Sequence, residues 1–287
     1  MISKQSTRAL VSSEEPFIRI RSGRQGLRKL VLREFWNYRD LFLFLVWRDI
    51  LVWYKQTALG AAWAILQPLM AMVIFAVVFG RLAKLPSDGL PYPVFAYSAL
   101  LLWTYFSQSL TQAAGSLINN EKLVTKIYFP RLMMPLASVV ACLLNLGISS
   151  CMLFFLVPFY GVDLSRHAWA LPLPIALTVI TATGTGFWLA ALNVKYRDIR
   201  YVVPFLVQIW MFASPVVYPV SIVPENWRLL YGLNPMAGAI EGFRWALLGT
   251  SDNFWSLFAV STLVGLGVLV SGVVYFQNAE DHFADLI

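Results

Sequence analysis

The chain has 287 residues, 59% of them hydrophobic and 13% charged, against about 45–50% and about 25% in an ordinary soluble domain. That excess is too large for a soluble core and argues against soluble enzymes, disordered chains and nucleic-acid binders. The formal net charge of +7 has to be mapped along the chain before it says anything about a partner.

In chain order, residues 1–32 are polar, basic and without periodicity, and read as a cytoplasmic tail with no secretory signal pattern. Residues 33–58 mix Trp, Tyr, Phe and Leu with charges at Glu34, Arg39-Asp40, Arg48-Asp49 and Lys55. A helix of that composition is expected to lie in the membrane interface with its charges toward the cytoplasm. The alternative, a seventh imperfect span over 41–54, has the Arg48-Asp49 pair in its middle, which is costly at bilayer depth.

Six runs then follow without a single Asp, Glu, Lys or Arg, at 61–80, 94–118, 132–160, 168–193, 202–222 and 254–276. A span needs about 20 apolar residues, so we expect six transmembrane helices. In the second run, Gln108, Thr111, Gln112, Gly115 and Ser116 recur at helical spacing as one polar stripe, suited either to line a conduit or to join helices. The loop at 119–131 places Asn120 to cap a short helix that begins at Glu121 and carries Lys122, Leu123, Lys126, Ile127 and Tyr128 before Pro130. A short amphipathic helix there is a natural docking element for a soluble partner.

Cys142 and Cys151 share the third run, about 13.5 Å apart along a helix and on different faces, so they cannot pair. The Thr183-Gly184-Thr185-Gly186 stretch of the fourth run lacks the dinucleotide-binding context, and its glycines read as close helix packing. Deep aromatic side chains, among them Phe75, Trp103, Phe205, Trp210 and Phe212, could stack on sugar rings or simply pack. Between the last two runs, Pro224, Gly232, Asn234-Pro235 and Gly249 punctuate two short helices. The second, about 21 Å long, is too short to cross, and the pair is expected as a re-entrant hairpin dipping in from outside.

Lys and Arg number seventeen on the side holding both termini (eleven before Leu59, then Lys122, Lys126, Arg131, Lys195, Arg197 and Arg200) and five on the other (Arg81, Lys84, Arg166, Arg228 and Arg244). Both termini are therefore expected in the cytoplasm, and the charge reads as a topology signal and an attraction to lipid headgroups. The carboxylates lie singly in loops or in pairs without a nearby nucleophile and read as solvated charges; the two histidines, His167 and His282, fall on opposite sides. No metal or catalytic cluster is expected. Spans without ionisable groups do not suit an ion-coupled transporter, and no phosphate-cradling loop is present. Energy for uphill movement has to come from another chain.

The segments WRDILVWYKQTALGAAWAILQP at 47–68, NNEKLVTKIYFPR at 119–131, NVKYRDIR at 193–200, SPVVYP at 214–219, NPMAGAIEGFR at 234–244 and the closing FADLI resemble, in this order, the permease subunits of bacterial polysaccharide ABC exporters, the Wzm-like and TagG-like family. The likeness runs from about Arg33 to Ile287. It implies an all-α membrane protein of six transmembrane helices, divided into a tail (1–32), an interfacial gate helix (33–58) and a transmembrane domain (59–287) with an outer-gate hairpin at 223–250.

The resemblance further implies a homodimer with two ATP-hydrolysing subunits, which alone hold ATP and magnesium, and a lipid-linked polysaccharide such as O-antigen or teichoic acid as cargo in the bacterial cytoplasmic membrane. By the same likeness Glu121, Lys122, Lys126, Ile127 and Tyr128 form the ATPase-coupling helix, and Arg48 or Lys55 meets the lipid diphosphate. Phe75, Trp103, Gln108, Gln112, Phe205, Trp210 and Phe212 are the conduit candidates, and Trp227, Asn234, Pro235, Glu241 and Arg244 belong to the outer gate. The rival readings are an exporter of drugs or small lipids, a membrane-embedded glycosyltransferase or acyltransferase, which needs clustered Asp or His at one membrane face, and a structural scaffold.

Overall fold

The computed structural model describes residues 36–55, 60–126, 129–196, 198–250, 254–280 and 283. All regular elements among them are helical. Helix α1 covers Arg39–Lys55, α2 Ala62–Phe75 with a π-helical continuation Ala76–Leu82, α3 Tyr92–Gly115 and α4 Glu121–Lys126. Helix α5 covers Met133–Phe159, α6 Pro172–Lys195, α7 Ile199–Phe212, α8 Glu225–Tyr231, α9 Pro235–Leu248 and α10 Trp255–Glu280.

Four stretches are long and apolar enough to cross a bilayer: Ala62–Leu82, Met133–Phe159, Ala168–Lys195 and Trp255–Glu280. Helix α3, with 24 residues, extends about 36 Å and has the length for it despite its polar stripe. The run expected at 202–222 departs most from expectation. Its helix, α7, ends at Phe212 after 14 residues, about 21 Å, and the chain continues through turns to a single 3-10 turn at Val220–Ile222. Pro215 and Pro219 supply no amide hydrogen and push the residues before them out of the helical region.

Three threonine hydroxyls inside α6 are satisfied by their own helix. Thr178, Thr181 and Thr185 on α6 each donate to the carbonyl four residues earlier at 2.8 Å, which lets apolar helices carry them in hydrocarbon. The tightest packing is glycine-dependent. A Cβ added to Gly184 of α6 would lie 2.6 Å from the Leu269 backbone of α10, and one on Gly272 only 2.3 Å from the Gly184 carbonyl oxygen. Gly186 makes the equivalent approach to α3, 2.9 Å from Ala113 Cβ. The Thr-Gly-Thr-Gly stretch is therefore a packing feature, as its sequence suggests.

Helix α3 sits at the centre, buried continuously from Tyr92 to Trp103 apart from Pro93 and packed by α2, α5, α6, α7 and α9. The chain has two distinct ends. At one, α4 meets the C-terminal ends of α3, α6 and α10 and the start of α5 around Leu117, Val124, Met133, Val194 and Phe276, tied by Arg131 Nη1 donating 2.8 Å to the Glu280 carbonyl. At the other, the loops after α2, α5 and α7 gather around α9, with the Ser165 amide on the Leu247 carbonyl at 2.9 Å and the Tyr92 hydroxyl on the Val217 carbonyl at 2.8 Å.

Helix α1 turns Arg48, Asp49 and Tyr54 toward α5, while Arg39, Asp40 and Lys55 stay exposed. Arg48 binds Asp49 through Nη2 at 2.7 Å, and the Ser138 hydroxyl of α5 donates to the other Asp49 oxygen at 3.1 Å. Five residues on, the Tyr54 hydroxyl donates to Asn145, seven residues further along α5, so the two helices run side by side in the same direction. Phe44, Trp47 and Leu51 face outward. The expectation that Arg48 and Asp49 point toward water is corrected: a neutralised pair faces protein and the apolar face is bare.

Candidate functional site

A groove of about 510 Å³ opens where α1, α2, α3 and α5 meet. Four side chains from these four helices form one chain of hydrogen bonds along it. Tyr54 donates to Asn145 Oδ1, Asn145 Nδ2 donates to Gln108 Oε1 at 3.0 Å, and Gln108 Nε2 donates to Gln67 Oε1 at 3.1 Å. Asn145 lies midway along α5, and Gln67 and Gln108 lie about one and a half and about two turns from the α4 end of their helices. Gln112, one turn from Gln108, also lines the groove. Linked amides of this kind polarise one another, and their open ends are placed to bind.

The stripe read from the second run therefore divides. Gln108 and Gln112 face the groove, whereas Thr111 and Gly115 line a second cavity of about 530 Å³ beside α4 that also takes in Asn119, Glu121 and Arg200. Ser116 turns into the core and donates to the Ala113 carbonyl at 2.8 Å. Helix α4 starts at Glu121, as its sequence suggests, with Val124 buried and Glu121, Lys122 and Lys126 exposed. Its start is held otherwise than expected: the Asn120 side-chain amide reaches back 2.7 Å to the Ser116 carbonyl. Ile127 and Tyr128 lie outside the described residues.

At the opposite end, Asn234 performs its expected cap and more. Its Oδ1 accepts from the Met236 amide at 3.1 Å and from Trp210 Nε1 at 2.9 Å, and its Nδ2 donates to Ser214 Oγ at 2.9 Å. One side chain thus fastens the start of α9 to the end of α7. Gly249 closes α9 in the left-handed conformation, φ 69°. All of α9 is buried, including Glu241 and Arg244.

Glu241 corrects the reading of the loop carboxylates as solvated charges, and Arg244 is buried beside it. Arg244, 1% exposed, donates to the carbonyls of Phe95 and Val216 at 3.3 and 3.2 Å, with its guanidinium 3.5 Å above the Phe95 ring. Its Nη1 lies 3.9 Å from Glu241 Oε2, a charge contact without a hydrogen bond. Glu241 borders a cavity of about 330 Å³ with Ser221, Glu225 and Arg228. Burial pushes the Glu241 carboxyl above the ordinary carboxylate range despite Arg244, and lowers Arg244 to about 10.

A family model described as ABC-2 type transporter matches residues 40–248, from α1 through α9. The chain belongs to that family. It is 28% identical over 264 residues to the O-antigen export system permease protein RfbA of Myxococcus xanthus, covering 90% of this chain and 99% of that one. A protein of the same name from Klebsiella pneumoniae is 25% identical over 249 residues, covering 86% and 95%. The polysialic acid transport protein KpsM of Escherichia coli is 24% identical over 233 residues, covering 77% and 89%. A multi-pass transport permease is the class these similarities support.

The other expected positions of this ABC-2 chain fall into three groups. Phe205, Phe212 and Trp227 are exposed, and Phe75 is half-buried against Phe79. Trp210 stacks edge-on to Phe106 at 5.0 Å, while Trp103, 4% exposed and packed on the same ring, is a core residue and leaves the set of surface-lining candidates. Lys55 is exposed, and Pro235 is buried at the first turn of α9. Sequence reasoning missed Gln67, Asn145 and Tyr54, which lie in three other segments and are joined to Gln108 only by the fold. It also missed the burial of Glu241 and Arg244, although their spacing among Ala237, Gly238, Ala239 and Gly242 is the pattern of a helix packed on all sides.

Proposed function

We propose that the chain is the membrane permease subunit of a polysaccharide ABC exporter in the bacterial cytoplasmic membrane. The observation that carries this reading is the likeness, over almost the whole of both chains, to a permease named for O-antigen export. The apolar runs supply walls without ionisable groups, and sugar hydroxyls can slide past amides and aromatic rings without a fixed charge to hold them. In this reading two copies enclose the conduit, two ATPase subunits dock on α4 with Ile127 and Tyr128, and the α4 end and both termini face the cytoplasm. Polysaccharide carried on undecaprenyl diphosphate enters at that end, with Lys55 or Arg48 nearest the diphosphate, and leaves past α8 and α9.

ATP binding closes the partner subunits, shifts α4, and through the shared core around Val124, Met133 and Leu45 moves α1 against α5. The Arg48–Asp49–Ser138 contact loosens with that movement. Gln108, Gln112, Phe205 and Phe212 are the side chains retained as conduit lining, and Asn234 carries movement of α7 into the outer hairpin. Deleting the gene in its host should abolish one surface polysaccharide while its lipid-linked form accumulates inside. Unchanged surface glycan together with sensitivity to small amphiphiles would favour an exporter of drugs or small lipids.

A further inference from the structure

The groove between α1, α2, α3 and α5 has a chemistry more selective than a slippery wall. Gln67 is exposed, five residues into a spanning stretch whose other residues as far as Gly80 carry no charge. An amide turned to hydrocarbon there would cost several kcal/mol, so the groove holds water or a polar ligand. Its hydrogen bonds all run in one direction, from Tyr54 through Asn145 and Gln108 to Gln67. The Gln67 amide is left with free N–H donors at one end, and the Tyr54 oxygen with a free acceptor pair at the other. Gln112 has no hydrogen-bond partner among the described residues and adds both a donor and an acceptor.

Two indoles flank these polar ends, Trp53 half-buried and Trp63 59% exposed. Asp, Glu, Lys and Arg are absent from the described lining. Rings for C–H faces beside amides for neighbouring hydroxyls suit an uncharged pyranose, because amide and hydroxyl exchange donor and acceptor roles freely. A carboxylated sugar or a diphosphate would bring charge into a partly enclosed groove without a cation to meet it. The volume falls within the usual range of about 300–1,000 Å³ for ligand clefts.

We propose that this groove is a binding station for neutral pyranose units, with Gln67 and Gln112 holding hydroxyls, Trp63 stacking on the ring, and Asn145 and Gln108 positioning the open ends. The station rests on the exporter reading and adds to it a preference for uncharged sugar at this depth.

The test uses the full chain in lipid nanodiscs free of glycoside detergent, with maltotriose as the neutral probe and an α2,8-linked sialic acid trimer as the acidic one. Binding is followed by saturation-transfer NMR and tryptophan fluorescence. Maltotriose should bind at least tenfold more tightly than the acidic trimer. Gln67→Ala and Gln112→Ala should each weaken it about tenfold, while Gln208→Ala, an exposed amide on α7 outside the groove, should leave it unchanged. Equal affinity in all three variants, equal or stronger binding of the acidic trimer, or no binding of either probe to the unaltered chain would overturn the station. Export measured in parallel in cells separates the two claims: normal export with no effect of the groove variants removes the station alone, whereas loss of the exporter reading requires that export not depend on this chain.

Discussion

Arg244 is the side chain whose sequence setting and structural setting differ most. By sequence it is one more charge on the outer side, yet it is nearly inaccessible and bound to two carbonyls, an aromatic face and, loosely, Glu241. Charge counting assigns residues to sides of a membrane and carries no information on burial, so nothing in the count could separate Arg244 from Arg228. Removing one member of a buried pair strands the other, at about 3–5 kcal/mol. Arg244→Ala should therefore lower the unfolding midpoint sharply in a thermal or proteolytic assay, and the double replacement Glu241→Leu, Arg244→Met should recover much of the loss. A midpoint unchanged by Arg244→Ala would mean the pair contributes nothing. Gly184 is the opposite case, legible from its Thr-Gly-Thr-Gly setting. With the Leu269 backbone 2.6 Å from where a Cβ would stand, Gly184→Val must part α6 from α10. Folded yield should collapse for every cargo alike; a change of cargo with normal yield would contradict a packing role.

At the scale of elements, helix starts and stops are legible wherever local chemistry sets them. Pro224, Gly232, Asn234-Pro235 and Gly249 bound α8 and α9 as their types require, and Pro130 follows α4. Two features depend on tertiary partners and are not legible. Helix α1 presents Arg48 and Asp49 inward because the Ser138 hydroxyl of α5 meets Asp49 there, and residues 214–217, beyond the stop that Pro215 sets for α7, are taken into the core beside Arg244. Asn234 joins the end of α7 to the start of α9. Asn234→Ala removes a cap, about 1 kcal/mol, together with the bonds to Trp210 and Ser214. Amide exchange should quicken in the first turn of α9 and at the end of α7 together; faster exchange in α9 alone would show that the two are not linked. For α4, replacing Ile127 and Tyr128 with Ala should leave the chain in the membrane but uncouple ATP hydrolysis from export. Normal export by that variant would contradict a coupling role.

For the whole molecule, the class is readable because a long run without charge has few structural alternatives, and the matched family confirms a transport permease. The number of crossings is less readable. Composition marks six runs alike, whereas four helical stretches satisfy length and apolarity together, one is long but polar, and one is short. The amide groove is visible only in part, since its hydrogen-bonding side chains Tyr54, Gln67, Gln108, Gln112 and Asn145 come from four helices and among these five only Gln108 and Gln112 share one. These scales meet in the proposed exporter, a polypeptide that would build a passage and draw its energy from a separate nucleotide-hydrolysing partner. Reconstitution in vesicles measures this most directly, by following lipid-linked glycan from one leaflet to the other with and without the partner ATPase and ATP. Movement should require both additions; rapid movement with this chain alone would contradict the account.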